Sequence, residues 1–325
     1  MKALDAAFPT LRIDLVTRVP AWFWEGCPIN GLFPENAGPC PVETGGTTDS
    51  GLSRDALKVF TANSSDILER EILRIGELRP DAVISDIDPL PFEAALRLGV
   101  PSFGIASFTW DWIFREMFPD MKTECDLLQR LYQSGTYLRL PLGPRASPFH
   151  ETIDVPLVPG GGPGDPEKGR RITGSGKLCL VALRDPGRVH LNMKNPGEWK
   201  LVSSLPGNPF RLEHNITPDR MSENDSTFSD LVAAADVVLM KPGYGMVSSI
   251  LTRGSRAIVV GRDDFPETPF LLEPLHDRPG TIVLRPGENG NLGCILDDIF
   301  DQNPPEPEVV EWKENITNLI ISRLI

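Results

Sequence analysis

The sequence has no apolar run approaching the ~18 residues that a membrane span requires, so no transmembrane segment is expected. It does not open with a basic region followed by an apolar core, so no secretory signal peptide is read and a cytoplasmic location is expected. A basic stripe is also missing. Lys and Arg number 32 against 45 Asp and Glu, for a formal net charge of −13. So acidic a chain is ill suited to non-specific phosphate-backbone binding, and nucleic acid is not an expected partner. Anionic membrane surfaces are disfavoured for the same reason. A nucleotide stays open as a ligand, because backbone N–H groups and a few side chains suffice to hold it. The five cysteines, Cys27, Cys40, Cys125, Cys179 and Cys294, match no zinc or redox spacing and read as reduced thiols. His150, His190, His214 and His276 show no metal-ligand spacing with a second His or Cys. No serine sits in a G-x-S-x-G elbow. Neither a metal nor a cofactor is expected. Four glycosylation sequons, at Asn63, Asn215, Asn224 and Asn315, carry no weight without a secretion signal.

What is present is ordinary globular material. Of 325 residues, 40% are hydrophobic and 24% charged, and the length suggests two domains. With 29 Gly and 32 Pro, long or rigid loops are expected. Short apolar runs alternate with helical patterns, the signature of an α/β fold with parallel strands. The strands are predicted at 11–17, 81–85, 101–107, 177–183, 199–203, 236–240, 255–260 and 281–284. Helices are predicted at 53–78, 91–98, from 110 to 117, and at 228–235, 244–251, 269–275, 291–300 and 309–324. Residues 139–148 are Pro-rich, and 159–176 (PGGGPGDPEKGRRITGSG) read as a linker or exposed loop that marks a domain boundary. The start, MKALDAAF, resembles the last turns of a helix followed at once by a strand.

Four constellations could carry chemistry. Lys241-Pro242-Gly243-Tyr244-Gly245-Met246-Val247-Ser248-Ser249 follows an apolar strand and opens a helix. Its glycines allow close backbone approach, the first-turn N–H groups attract phosphate, and Lys241 adds a point charge. The motif is neither a Walker loop nor G-x-G-x-x-G, and a glycine turn with Ser caps and no ligand explains it equally well. Arg262-Asp263-Asp264-Phe265-Pro266-Glu267 would lie on the same sheet edge, where Arg262 could pair bidentately with phosphate and a carboxylate could accept from sugar hydroxyls. Taken alone it reads better as a charged loop with Glu267 in a helix's first turn. In Ser85-Asp86-Ile87-Asp88-Pro89, two acids at a strand's carboxyl end could act as a base or bind hydroxyls, although an Asp cap before the next helix also fits. Ser107-Phe108-Thr109-Trp110-Asp111-Trp112 suits a sugar face or, equally, helix-start packing with Thr109 or Ser107 as cap.

Together, 81–114 (DAVISDIDPLPFEAALRLGVPSFGIASFTWDWIF) and 230–267 (DLVAAADVVLMKPGYGMVSSILTRGSRAIVVGRDDFPE) resemble glycosyltransferase-like proteins of the GT-B type. They are similar to the glycosyltransferase-like domain preceding the kinase domain of plant arabinokinases and to its free-standing bacterial relatives. Residues 15–24, 124–128 and 153–157 agree with it, whereas 159–227 match poorly. The resemblance implies two Rossmann-like domains facing a cleft. They would be an acceptor-side domain at 1–158 and a nucleotide-sugar-binding domain at 159–305, with a helix at 306–325 packing back on the first. It places Gly243, Tyr244 and Gly245 at the phosphate end and Glu267 near sugar or ribose hydroxyls, with Lys241, Ser248 and Arg262 completing the donor-binding set. Relatives usually begin with a strand and a G-H-G-x-G-H-type loop, so a missing first βα unit is expected here. Arg184-Asp185-Pro186-Gly187-Arg188 stands where relatives carry a more glycine-rich turn.

The expected function is transfer of a hexosyl or pentosyl group from a nucleoside diphosphate sugar, with a UDP-sugar as the expected donor, to an unidentified acceptor. Asp86 is the candidate base. Two alternatives stay open: a non-catalytic nucleotide- or sugar-binding regulatory module, and a nucleotide-sugar epimerase-like protein.

Overall fold

The computed structural model describes residues 11–19, 21–24, 27–34, 38–162, 164–183, 189–193, 196–204, 212 and 214–323. The helix end expected at Met1 to Phe8 and the turn Arg184 to Arg188 lie outside the described residues. The chain forms two compact units. The first comprises residues 1–42, 48–157 and 311–325, and the second residues 43–47 and 158–310.

In chain order the strands begin with β1 (Asp14–Thr17) and β2 (Gly31–Pro34), which pair in parallel. Next comes a hairpin of β3 (Glu43–Thr44) and β4 (Thr47–Thr48). Its two-residue loop, Gly45-Gly46, has φ of 57° and 77°. Two successive positive φ values make the tight hairpin turn whose twist matches its strands, and glycine adopts them at least cost. The helix Ser50–Leu78 follows, with the Asp49 carboxylate accepting from Leu52 N at 2.9 Å as its cap. Of its apolar positions, Leu57, Phe60, Ile67, Leu68 and Ile75 are buried, while Val59 and Leu73 face solvent.

The main sheet of the first unit is β5 (Val83–Ser85), β6 (Ser102–Ala106), β7 (Thr136–Arg139) and β8 (Glu151–Asp154), in that order and all parallel. Helices Leu90–Leu98, Trp110–Met117 and Lys122–Leu131 connect these strands. A core of Leu57, Phe60, Leu90, Ala94, Phe114, Phe118, Cys125 and Leu128 joins them to the long helix. β7 and β8 were not expected from sequence. The helix Trp312–Ile321 is grouped with this unit, and Arg323 pairs with Glu151 of β8. It starts later than predicted, and Val309 is 94% exposed.

The second unit contains β9 (Leu178–Ala182), β10 (His190–Asn192), β11 (Lys200–Ser203), β12 (His214–Asn215), β13 (Val237–Met240), β14 (Arg256–Val260), β15 (Thr281–Leu284) and β16 (Asn289–Asn291). Its main sheet has six strands in the order β12-β11-β9-β13-β14-β15, all parallel. The four residues of β13, Val-Val-Leu-Met, are all buried, as expected for a strand covered on both faces. Cys179, Val181, Leu239, Ile258, Val260, Leu292, Leu296 and Ile299 belong to the core that fills one face. Burial raises the Cys179 thiol to about 12, so it stays protonated.

Residues 159–176 are not simply a linker. They include the helix Pro166–Thr173, capped by Asp165, which accepts from Glu167 N and Lys168 N. Gly169, Ile172 and Thr173 are buried. A Cβ on Gly169 would lie 2.2 Å from the Asp230 carbonyl oxygen, so this glycine serves close packing. Among the described residues, no helix is long and apolar enough to cross a membrane.

Candidate functional site

Strand order places the strongest candidate in the second unit. From β9 the chain moves outward to β11 and β12, then returns to add β13, β14 and β15 on the other side. The direction reverses between β9 and β13. In open parallel sheets, ligands bind beyond the carboxyl ends of the strands at such a reversal. The residues beyond β13 are Lys241, Pro242 and Gly243.

Gly243 is the N-cap of the helix Tyr244–Arg253, with extended φ and ψ and no side-chain hydrogen bond to the cap. The first-turn N–H groups of a helix have no intrahelical partner. A Cβ on Gly243 would meet nothing within 4 Å, so the space beside this cap is open. The first-turn N–H groups carry the positive end of the helix dipole. Lys241, two residues before the cap, donates from its ammonium to the Gly46 carbonyl at 2.9 Å.

Two predicted site residues play structural parts. The Tyr244 hydroxyl accepts from Val158 N at 3.1 Å. Burial raises it to about 12, and nearby Glu267 adds to the rise. Ser248 is fully buried, and its hydroxyl donates to the Gly245 carbonyl at 3.1 Å, so it caps nothing. Ser249 donates to both Gly245 O and Gly160 O. Residues 158–162 are thereby laced to the helix start, with Ser229 donating to Gly161 O and Arg253 to Gly162 O.

Arg262 lies beyond β14, the neighbour of β13. Its Nε and Nη2 donate to the two Asp264 oxygens at 2.8 and 3.0 Å, and Nη1 donates to Glu43 at 2.5 Å. The Nε/Nη2 edge of Arg262, one bidentate face of the guanidinium, is therefore occupied by Asp264. Burial lowers the Arg262 pKa, but the two carboxylates outweigh it and raise it overall. The guanidinium also lies over the Phe265 ring, 5.1 Å from its centre. Glu267 is 5% exposed and its carbonyl starts the helix Thr268–Leu272. The Thr268 hydroxyl beside it is buried with no partner among the described residues.

A second polar group sits at the carboxyl edge of the first unit's sheet. Asp86 is exposed. Asp88 Oδ1 accepts from Leu90 N at 3.1 Å, the capping role that sequence allowed. Between them Ile87 is buried with φ of 62°, an uncommon and strained conformation for a β-branched residue. Its carbonyl accepts from the buried Tyr132 hydroxyl at 2.7 Å, and that hydroxyl accepts from Trp110 N at 3.3 Å. Burial pushes the Tyr132 pKa well up. Thr109 occupies the cap of the next helix but makes no side-chain cap bond. Asp111 is buried with Oδ1 unpartnered among the described residues, and desolvation raises its pKa. Phe108 and Trp110 pack edge to face, 5.0 Å between ring centres.

Sequence reading missed Glu43 and Gly46. The Gly45-Gly46 pair between two Thr-containing stretches was a usable hairpin signal, but nothing local tied it to Lys241 or Arg262.

The fold is that of the GT-B glycosyltransferases, an α/β arrangement with parallel sheets. Spinosyn forosaminyltransferase SpnP matches 99% of this chain and 88% of its own, with a TM-score of 0.55 at 13% identity. The glycosyltransferase SnogD of Streptomyces nogalater matches 99% of this chain and 94% of its own, with a TM-score of 0.53 at 13% identity. In sequence the chain is 30% identical over 235 residues to L-arabinokinase of Arabidopsis thaliana. That alignment takes in 64% of this chain and 21% of the plant protein, so the chain spans about a fifth of that relative's length. No protein-family model matches.

Proposed function

We propose that the second unit binds the nucleoside diphosphate of a sugar donor beyond β13, and that the chain is a glycosyltransferase. The observation that carries this reading is the uncapped, open helix start at Gly243 where the strand order reverses. In this reading the N–H groups of Gly243, Tyr244 and Gly245 face the diphosphate. Lys241 turns from Gly46 to the same charge, and Glu267 accepts from ribose or sugar hydroxyls.

Transfer forms a bond between an acceptor hydroxyl and the anomeric carbon as the bond to the diphosphate breaks. Negative charge grows on the leaving diphosphate, and preorganised N–H groups with a lysine stabilise it. The acceptor proton needs a base, and exposed Asp86 at a strand's carboxyl end takes that role here. The donor proposed is a UDP-sugar, carrying a hexosyl or pentosyl group. The fold likeness to two glycosyltransferases supports the reading, as does the sequence likeness to an enzyme named for a sugar substrate.

The test is release of nucleoside diphosphate from UDP-hexoses and UDP-pentoses over a panel of hydroxyl acceptors, with Asp86→Asn in parallel. The reading expects acceptor-dependent release from one donor, reduced at least about 100-fold in the variant. Binding of donors without release over the whole panel would favour a non-catalytic module.

A further inference from the structure

The cations that follow β13 and β14 both hold the hairpin β3–β4, whose residues Glu43–Thr47 belong to the second unit. Lys241 Nζ donates to the carbonyl of Gly46 at the hairpin tip, at 2.9 Å. Arg262 Nη1 donates to Glu43 Oε1 at the hairpin's first strand, at 2.5 Å. We propose that this hairpin is a clasp on the donor site, with the Glu43 carboxylate and the Gly46 carbonyl holding the cations until a nucleoside diphosphate displaces them. The proposal rests on the reading of the site given above.

The geometry of Arg262 makes the competition specific. Asp264 fills the Nε/Nη2 edge, so an incoming phosphate would approach from the Nη1 side, beside the Glu43 carboxylate. Nη1 has two N–H groups, so the competition is one of charge: a carboxylate already held there repels an incoming phosphate. Lys241 holds Gly46 through one of its three N–H groups, and a phosphate's charge would draw the ammonium away from that neutral carbonyl.

The clasp is built to open. Glu43 is about half exposed while Arg262 is mostly buried, so the carboxylate side of the pair is the one that water reaches. At the tip, a Cβ on Gly45 would meet nothing within 4 Å, so that side of the turn is open. The base is firmer: Asp49 N donates to Val42 O at 2.8 Å, and Val42 N donates to Ser53 Oγ at 2.9 Å. The hairpin can therefore lift at its tip without disturbing the start of the following helix.

Binding and clasp release are then linked, and linkage is reciprocal. Loosening the clasp must tighten nucleotide binding, and nucleotide must loosen the clasp. The experiment has two arms on the full chain. Calorimetric titration with UDP, GDP, ADP and dTDP compares the parent with Glu43→Gln, which keeps shape and removes charge. The expected result is binding about fivefold tighter in the variant, the scale of one partly exposed ion pair. Amide exchange at residues 45–47 is followed with and without nucleotide, and faster exchange with nucleotide bound is expected. Equal or weaker binding by Glu43→Gln while the parent binds overturns the clasp and leaves the site intact. Slower exchange at 45–47 on binding also overturns it, because the hairpin would then be closing over the ligand. If neither protein binds any of the four nucleotides, the donor site itself is refuted, and the clasp with it.

Discussion

A Cβ built on Gly160 would lie 2.5 Å from the carbonyl oxygen of Gly245, closer than any side chain tolerates. The two glycines bring the 158–162 segment against the start of the helix whose N–H groups are proposed to bind phosphate. Gly245 cannot serve an anion and shift at will, because Ser249 bridges its carbonyl to that of Gly160.

Gly160→Ala should therefore force the segment off the helix. The obstructing atom is backbone, so relief requires a chain shift, and a loss of about 1–3 kcal/mol is expected. Urea unfolding of parent and variant measures it. Gly243→Ala, where the Cβ meets open space, should cost far less in the same assay.

Tyr132→Phe should destabilise the first unit. The hydroxyl satisfies Ile87 O and Trp110 N at once, and it holds a residue in a strained conformation. Leaving those buried groups without a partner costs about 1–3 kcal/mol. Amide exchange at residues 85–90 and 109–112 should rise in the variant, with little change at 237–260.

Asp111 gives the protein a pH dependence of definite sign. Burial raises its pKa, so the folded state holds the proton more tightly than the unfolded chain does. That contribution is fully present below the ordinary aspartate value of about 3.9 and is lost as pH rises through the raised folded value. Asp111→Asn removes the titration. The variant should be more stable than the parent at pH 7, and the gap should close as pH falls below about 4. Denaturant titrations at both pH values check this. A gap that widens on acidification would contradict it.

Asp165→Ala tests the helix hidden in the Gly- and Pro-rich segment. Two N–H groups lose their acceptor, and a cost of about 1 kcal/mol is expected. Asp165→Asn should restore most of it.

How much of this was legible in the sequence depends on distance along the chain. Val237 to Met240, Gly243 and the helix Tyr244–Arg253 were readable because an apolar strand, a glycine turn and a helix are each local signals. Thr136–Arg139 and Glu151–Asp154 were not, since four-residue strands with polar ends show no apolar run. Residues 166–173 read as loop because the whole stretch 159–176 is rich in Gly, Pro and charge, while the reason for Gly169 is the Asp230 carbonyl 61 positions away. In the same way, Arg262 invited a phosphate on paper. Its partner Glu43 is 219 positions distant, and no local pattern announces such a pair. Lys241 and Gly46, 195 positions apart, were hidden for the same reason.

The central claim is that the open helix start at Gly243 binds a nucleoside diphosphate. The measurement that tests it most directly is calorimetric titration of UDP, GDP, ADP and dTDP into the chain and into a variant carrying both Gly243→Val and Gly245→Val, with circular dichroism confirming that each is folded. The account predicts binding of one nucleotide by the parent and its loss in the folded variant. Absence of binding by the folded parent, or undiminished binding by the folded variant, would contradict it.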